Sequence, residues 1–255
     1  MKIIEEVKTI RDIPVMTCRR DDNLKKPLVI ISHGFTGSKA DFKKNGCLIE
    51  LAESGYYAAA VDNRLHGDRP GPNFRETVLR SSDKIDLITL RKAMKETADD
   101  VRLLIDELSV LDEIEENRIA MIGISMGGFI TYRSIVVDDR IKVGIPIISS
   151  PFWDDIPGDI PVLKDDKMIN RLALLSKQYQ PSEYSDRFYP TALLMQAGDK
   201  DKHYDIKKVL RFYNGLNKYY HDFPERLKLI IYPDTKHEFK HEMWEQSLQW
   251  LKDHL

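Results

Sequence analysis

Short apolar runs rich in β-branched residues alternate along the chain with longer segments in which apolar residues recur at helical spacing. This alternation is typical of a mostly parallel sheet covered by helices, and it predicts the α/β class. We predict strands at 3–11, 14–19, 27–32, 56–61, 118–124, 141–148, 192–196 and 227–232, and helices at 40–53, 86–108, 126–137, 206–219 and 239–254. The first two strands are predicted to form an antiparallel hairpin at one edge of the sheet.

The alternation is interrupted between residues 151 and 189. This segment is rich in Asp, Pro, Lys and aromatic residues, and it has a weak helical pattern at 168–179. We interpret it as an insertion between two strands that forms a small lid. No internal repeat or interdomain linker is visible in the sequence, so residues 1–255 are predicted to form a single α/β domain that carries this lid.

The composition narrows the classes of function. The chain of 255 residues has 39 Lys and Arg against 41 Asp and Glu, so no excess positive charge attracts nucleic acid or an anionic membrane. The acidic N-terminal sequence does not resemble a secretory signal, and no apolar run reaches the roughly 18 residues of a membrane span. Cys18 and Cys47 suggest neither a disulfide framework nor a metal site. We expect a soluble, cytoplasmic protein without nucleic-acid or membrane partners; the sequence makes no prediction of oligomeric state.

A candidate nucleophile, Ser125, lies in a GxSxG motif where an apolar strand turns into a helix. A serine on so sharp a turn has strained dihedral angles, and the flanking Gly123 and Gly127 leave the space that the turn needs. The helix that follows directs the positive end of its dipole at the site. Because the motif alone is common, the assignment of Ser125 depends on its partners.

A serine hydroxyl becomes a strong nucleophile only when a base removes its proton and an acid orients that base. His237 follows a strand and a turn at the predicted carboxyl edge of the sheet, where the sites of open α/β folds lie, so we predict it as the base. The acid should come from the loop after the preceding strand, which offers Asp199 and Asp201, and spacing does not choose between them. The histidines in polar helical contexts are predicted to be solvated: His203, His221, His241 and His254.

The charge that develops on the substrate oxygen needs two backbone N–H donors. One is expected from Met126, the residue after the serine. The second is expected from Phe35, in the glycine-containing turn at 33–37 that follows a strand. The alternative for this turn is a plain strand-to-helix connection with His33 packed beneath it.

The substrate pocket is predicted to include His33, Phe152 and Trp153. The two aromatic residues directly follow the end of a strand, at the start of the insertion. The alternative is that such aromatic side chains only pack the lid onto the core.

Four stretches resemble the α/β-hydrolase fold of serine hydrolases: HGFTG at 33–37, DNRLHG at 62–67, GISMGG at 123–128 and YPDTKHEF at 232–239. The resemblance covers residues 27–254. Within this fold, the chain is similar to carboxylesterases related to dienelactone hydrolases and to the catalytic domains of prolyl-oligopeptidase-type enzymes. It implies hydrolysis of a small or medium carboxylic ester through an acyl-enzyme, with a small-molecule ester as partner and no cofactor. The family's acid loop, a glycine, two residues and an aspartate, falls on Asp201.

The chain departs from the family after that aspartate, where Lys-His-Tyr stands in place of the usual Val-Pro, and at 68–70, where Asp-Arg-Pro stands in place of a small residue or serine. The same chemistry also serves a peptidase, an acyltransferase or a thioesterase, although a prolyl-type peptidase usually carries a large additional domain. A member of another class, a non-catalytic ligand-binding protein of this fold, usually lacks one of the three catalytic side chains.

The segment from His237 to His241 also matches HExxH, a zinc-protease motif. That motif needs both histidines on one face of a helix, but His237 is predicted to lie in a loop before the terminal helix. A third ligand is missing as well, since the extended motif would place glycine at Trp244 and histidine at Ser247. We therefore expect no metal.

Overall fold

Eight strands form one sheet in the computed structural model, which describes residues 2–79 and 84–255. The strands are β1 (Ile3–Ile10), β2 (Ile13–Arg20), β3 (Lys26–Ser32), β4 (Tyr57–Val61), β5 (Ile114–Ile124), β6 (Ile141–Ile147), β7 (Ala192–Gly198) and β8 (Leu227–Tyr232). Their order across the sheet is β1-β2-β4-β3-β5-β6-β7-β8. β2 pairs antiparallel with β1 and β4, and the other pairings are parallel. The predicted α/β class and the N-terminal hairpin at one edge are confirmed.

Helices cover both faces of the sheet. Among the described residues they are α1 (Lys39–Lys44), α2 (Cys47–Glu53), α3 (Leu87–Leu108), α4 (Met126–Val137), α5 (Asp166–Tyr179), α6 (Ile206–Leu216) and α7 (His241–His254). Shorter helical turns lie at Arg75–Leu79, Pro181–Arg187 and Pro224–Arg226. No helix in these ranges is both long and apolar enough to cross a membrane.

The central strands read as continuous apolar runs because they are buried on both faces. In β3, Leu28 and Ile30 contribute to the core beneath α3, α4 and α6, whereas Val29 and Ile31 contribute to the core beneath α2 and α7. This alternation places one apolar layer on each side of the sheet. Because the strands from β3 to β8 run parallel, their carboxyl ends lie at one edge of the sheet.

The predicted helix at 40–53 is wrong as a single element. Gly46 has a left-handed backbone (φ 83°), which ends α1, and the Asn45 side chain accepts a hydrogen bond from the N–H of Cys47 at 3.2 Å, where α2 begins. β5 also begins earlier than predicted. Its polar first half resembles a loop in sequence, but Ile114 pairs with Lys26 of β3.

The predicted insertion lies between β6 and β7 and contains α5, which corresponds to the helical pattern at 168–179. Its residues near 161–163 form a short pairing with Ile85, just before α3: the N–H of Ile85 donates to Pro161 O at 2.9 Å and that of Leu163 donates to Ile85 O at 3.0 Å. The insertion is therefore held across the carboxyl end of the sheet, against the start of α3.

Candidate active site

Ser125 joins β5 to α4 with φ 54° and ψ −115°, a conformation that L residues rarely adopt. The reason is the close approach of the strand and the helix. A Cβ on Gly123 would collide with the carbonyl oxygen of Gly127, and a Cβ on Gly127 would collide with that of Ser32. The turn anticipated from GxSxG is thus present, and its strain is maintained by packing that only glycine permits.

We expect Gly127→Ala to lower the free energy of unfolding by about 1–3 kcal/mol, because the added methyl group has no space against the backbone of β3. Gly215→Ala, on the exposed end of α6 where a Cβ meets nothing within 4 Å, is the matched control and should be neutral or stabilise by up to about 1 kcal/mol. Equilibrium urea unfolding measures both changes. Equal stability of the two variants would contradict this account of the turn.

The structure brings Ser125, His237 and Asp201 into one hydrogen-bonded chain. Ser125 Oγ lies 2.7 Å from His237 Nε2, and His237 Nδ1 lies 2.7 Å from Asp201 Oδ2. With a neutral imidazole, the serine hydroxyl donates to Nε2 and Nδ1–H donates to the carboxylate. This is the arrangement in which a histidine can accept the serine proton and a carboxylate can stabilise the resulting imidazolium.

The two candidate acids occupy different positions on the loop after β7. Asp199 Oδ1 accepts from the backbone N–H of Thr235 at 3.2 Å, and Lys200 N donates to Thr235 O at 2.9 Å. Gly198 approaches Thr235 so closely that a Cβ there would collide with its carbonyl. Asp199 therefore joins the two loops, while Asp201 turns inward with a fully buried side chain.

His203 is part of this cluster, so the prediction that it is solvated is wrong. Its ring stacks on that of His237, with centroids 3.7 Å apart and planes 23° apart, and its backbone N–H donates to Asp201 Oδ1 at 2.8 Å. Its side chain is 22% exposed. It lies on the loop after β7 and not in the helical context predicted for it, and its position two residues after the acid was the sequence signal that could have found it.

The electrostatics favour an ionised acid. Burial by itself raises the pKa of the Asp201 carboxyl, but hydrogen bonds from His203 and His237 outweigh burial and hold that pKa well below its ordinary value. Asp201 therefore remains a carboxylate at neutral pH and can balance a positive charge on His237.

Asp201, His203 and His237 are also the one group of three potential metal ligands within residues 2–79 and 84–255, with ligand atoms within 4.8 Å of one another. A ring nitrogen binds a metal along a lone pair in the ring plane. Two imidazoles stacked 3.7 Å apart do not direct such lone pairs at one point, and both nitrogens of His237 already have partners. The geometry fits a proton relay better than a metal centre.

The two expected oxyanion donors lie beside the serine. An ideal Cβ on Gly34 would be 3.6 Å from Ser125 Cβ, so the turn that carries Phe35 abuts the serine. Among the described residues, neither the Phe35 N–H nor the Met126 N–H has a protein acceptor, and both residues line the cavity that contains Ser125. Free N–H groups at this position are available to a substrate oxygen.

His33 does not line that cavity, contrary to its predicted place in the pocket. Its side chain is buried beneath the turn, where Nε2 accepts from the N–H of Asn63 at 3.1 Å and Nδ1 lies 2.7 Å from Gly34 O. Burial lowers the pKa of His33 to about 4, so the ring is neutral at physiological pH. His33 thus connects the ends of β3 and β4 and supports the turn that carries Phe35.

The cavity at Ser125 has a volume of about 500 Å³, which is in the range of small-molecule sites. His237, Phe35 and Met126 line it together with the serine. The walls are mainly apolar and come from the segment before α3, from α3 itself and from the insertion: Leu79, Ile85, Leu87, Leu90, Met94, Pro157, Ile160 and Pro161. Within the part of the chain that the structure describes, the charged side chain of Arg91 also lines it.

Phe152 and Trp153 are not among these lining residues, so the insertion contributes other side chains to the pocket than those predicted. Trp153 is fully buried, and its backbone N–H donates to Gln180 Oε1 at 3.1 Å. Phe152 packs edge-on against Phe212 of α6. Both pack the insertion onto the core, as the alternative interpretation of these aromatic residues proposed.

The profile of the alpha/beta hydrolase family matches residues 28–251. The chain belongs to the alpha/beta hydrolase family. A relative from Bacillus subtilis, named "Putative esterase YitV", is 27% identical over 276 aligned positions that cover 98% of each chain. This alpha/beta hydrolase also shares its fold with TT1662 from Thermus thermophilus (TM-score 0.77, 21% identity, 99% and 98% of the two chains) and with an acetyl xylan esterase from Paenibacillus sp. R4 (TM-score 0.73, 18% identity, 99% and 84%).

Proposed function

We propose that this alpha/beta hydrolase is a serine esterase that cleaves small to medium carboxylic esters through an acyl-enzyme. The observation that carries the proposal is the hydrogen-bonded chain from Asp201 through His237 to Ser125, which ends in an apolar cavity of about 500 Å³. The esterase name of the Bacillus subtilis relative and the acetyl xylan esterase among the similar structures support the same class of reaction.

The chemistry follows from the distances. Ser125 Oγ attacks the ester carbonyl carbon as its proton passes to His237 Nε2, 2.7 Å away. The Phe35 and Met126 N–H groups bind the oxyanion that forms. His237 then gives the proton to the leaving alcohol, and the acyl group remains on Ser125. A water molecule that loses its proton to His237 hydrolyses this acyl-enzyme and restores the hydroxyl.

Asp201 and His203 act on the base rather than on the substrate. Ionised Asp201 fixes the imidazole tautomer that offers Nε2 to the serine and stabilises the imidazolium. The His203 backbone N–H occupies Oδ1 and leaves Oδ2 for His237. His203 is therefore a positioning residue for the acid.

The test is hydrolysis of p-nitrophenyl esters from acetate to palmitate, with a chelator present. We expect kcat/KM to peak at short or medium acyl chains and to fall at palmitate, because a cavity of about 500 Å³ is in the size range of small-molecule sites. A burst of p-nitrophenol that equals the enzyme concentration would show accumulation of the acyl-enzyme.

A parallel series of aminoacyl p-nitroanilides separates this proposal from a peptidase. Turnover of anilides without turnover of esters would overturn the esterase proposal while retaining Ser125 as the nucleophile. No turnover of either series by the folded protein would favour a ligand-binding role.

A further inference from the structure

A buried positive charge lies on the wall of this mainly apolar cavity. Arg91, in the second turn of α3, is 3% exposed and lines the same space as Ser125. Its guanidinium carbon lies 4.7 Å from the ring centroid of Phe129, which follows Ser125 by four residues, about one turn, on α4. The charge therefore lies in the same cavity as the reacting serine.

No carboxylate among the described residues lies within ion-pair distance of Arg91. Its hydrogen bonds go to the carbonyl oxygens of Trp153 at 3.2 Å and Asp155 at 3.4 Å, and Nη1 is 3.3 Å from Met94 Sδ. These partners are neutral. They satisfy part of the five N–H donors and leave the charge without a counter-ion in the described part of the chain.

The two described acidic side chains whose charges act on Arg91 already have another partner. Asp155 Oδ1 accepts from Lys208 Nζ at 2.6 Å, and Asp154 Oδ1 accepts from the same atom at 3.2 Å. Burial lowers the pKa of Arg91 to about 10 although both aspartates oppose the change, so the guanidinium is still positive at neutral pH. An isolated buried charge is costly, and a ligand that neutralises it recovers part of that cost.

We propose that the preferred substrate carries, in addition to the scissile ester, a carboxylate that pairs with Arg91. The planar guanidinium fork matches the two oxygens of a carboxylate. Arg91 is the one positive charge among the described lining residues apart from the two histidines, and one such charge fits a monoanion, because a phosphate dianion would leave a net charge buried. This inference rests on the proposed esterase function and narrows its substrate class to esters with one anionic end.

Two pairs of probes show which part of the substrate carries the charge. On the acyl side, the p-nitrophenyl hemiester of adipate is compared with p-nitrophenyl hexanoate; shorter hemiesters are avoided because their carboxylate attacks its own ester. On the alcohol side, 4-carboxyphenyl butyrate is compared with phenyl butyrate. The quantity measured is the ratio of kcat/KM for the charged ester to that for its neutral counterpart.

We expect one of these ratios to fall about 30-fold or more in Arg91→Met and to be partly retained in Arg91→Lys. Arg133→Met is the matched control. Arg133 is also a largely buried arginine, on α4, but its guanidinium lies over Tyr179 and Tyr184 and it does not line the cavity. Its removal should leave both ratios unchanged.

If Arg91 only joins α3 to the insertion, Arg91→Met should lose activity toward charged and neutral esters to the same extent. Unchanged ratios in all variants would therefore overturn the inference. Calorimetric binding of the adipate hemiester and of p-nitrophenyl hexanoate to Ser125→Ala, with and without Arg91→Met, decides the question without turnover. Tighter binding of the charged ligand that needs Arg91 would support the carboxylate site even if no ester were hydrolysed, whereas equal binding of both ligands would refute it.

Discussion

Ser125→Ala is expected to lower kcat/KM for p-nitrophenyl acetate by about 10⁴-fold to 10⁶-fold without unfolding the protein. The variant removes the only atom that the proposed mechanism joins to the acyl group, so what remains is rate enhancement by the oxyanion donors and by binding. Among the described residues, the serine hydroxyl hydrogen-bonds only to His237, so its removal should not disturb the packing of the fold. Steady-state kinetics with the highly purified variant measures the loss of activity, and thermal unfolding followed by circular dichroism measures its stability.

Ser134→Ala is the matched control for this prediction. Ser134 is a fully buried serine on the same helix, α4, and its hydroxyl has no hydrogen-bond partner among the described residues. We expect this variant to keep nearly full activity. If Ser125→Ala retained more than about one hundredth of the activity of the unmodified protein, another nucleophile would have to be found and the proposed mechanism would fail.

Asp201→Asn should cost about 10⁴-fold in kcat, the second largest effect that we expect. The amide is close in shape to the carboxylate but carries no charge, and its NH₂ group can stabilise the tautomer of His237 that points a proton at Ser125. Such an imidazole does not accept the serine proton. The loss should appear in kcat more than in KM, because Asp201 does not line the cavity.

Asp199→Asn is the matched control, because it removes a carboxylate from the same loop without changing Asp201. The Asn side chain keeps the oxygen that accepts from the N–H of Thr235, so the junction between the two loops persists. We expect kcat within about threefold of the unmodified value, since isosteric changes at partly exposed polar positions have small effects. Equal losses in the two variants would show that the charge of the whole loop, and not the Asp201 contact, supports the base.

Local patterns predicted the features of the fold that depend on local physics. Alternation of apolar runs and helical segments indicated the parallel sheet, since strands buried on both faces must be apolar throughout. The break at Gly46 was missed because a helical period spans it, although a glycine in the left-handed region ends the helix. The polar start of β5 was missed because its pairing with β3 joins residues distant in sequence.

The residues of the candidate site also fall into a group that the sequence predicted and a group that it did not. The serine, the histidine and their order were accessible from motifs at the ends of strands, because the sheet brings those ends together. The position of His203 was not, because its loop has no periodic signal and its stacking on His237 depends on how two separate loops pack. The same reason applies to the pocket, where Pro157, Ile160 and Pro161 line the cavity while Phe152 and Trp153 pack away from it.

The sequence by itself determined the α/β class, the hairpin and the strained serine turn, which the GxSxG motif marks where an apolar strand meets a helix. Only the tertiary structure decided that Asp201 contacts His237 while Asp199 joins two loops, and that Arg91 lies in the cavity without a counter-ion among the described residues. These features depend on the directions of side chains on loops and on contacts between distant segments. Hydrophobic periodicity encodes which face of an element is buried, and it carries no information about those contacts.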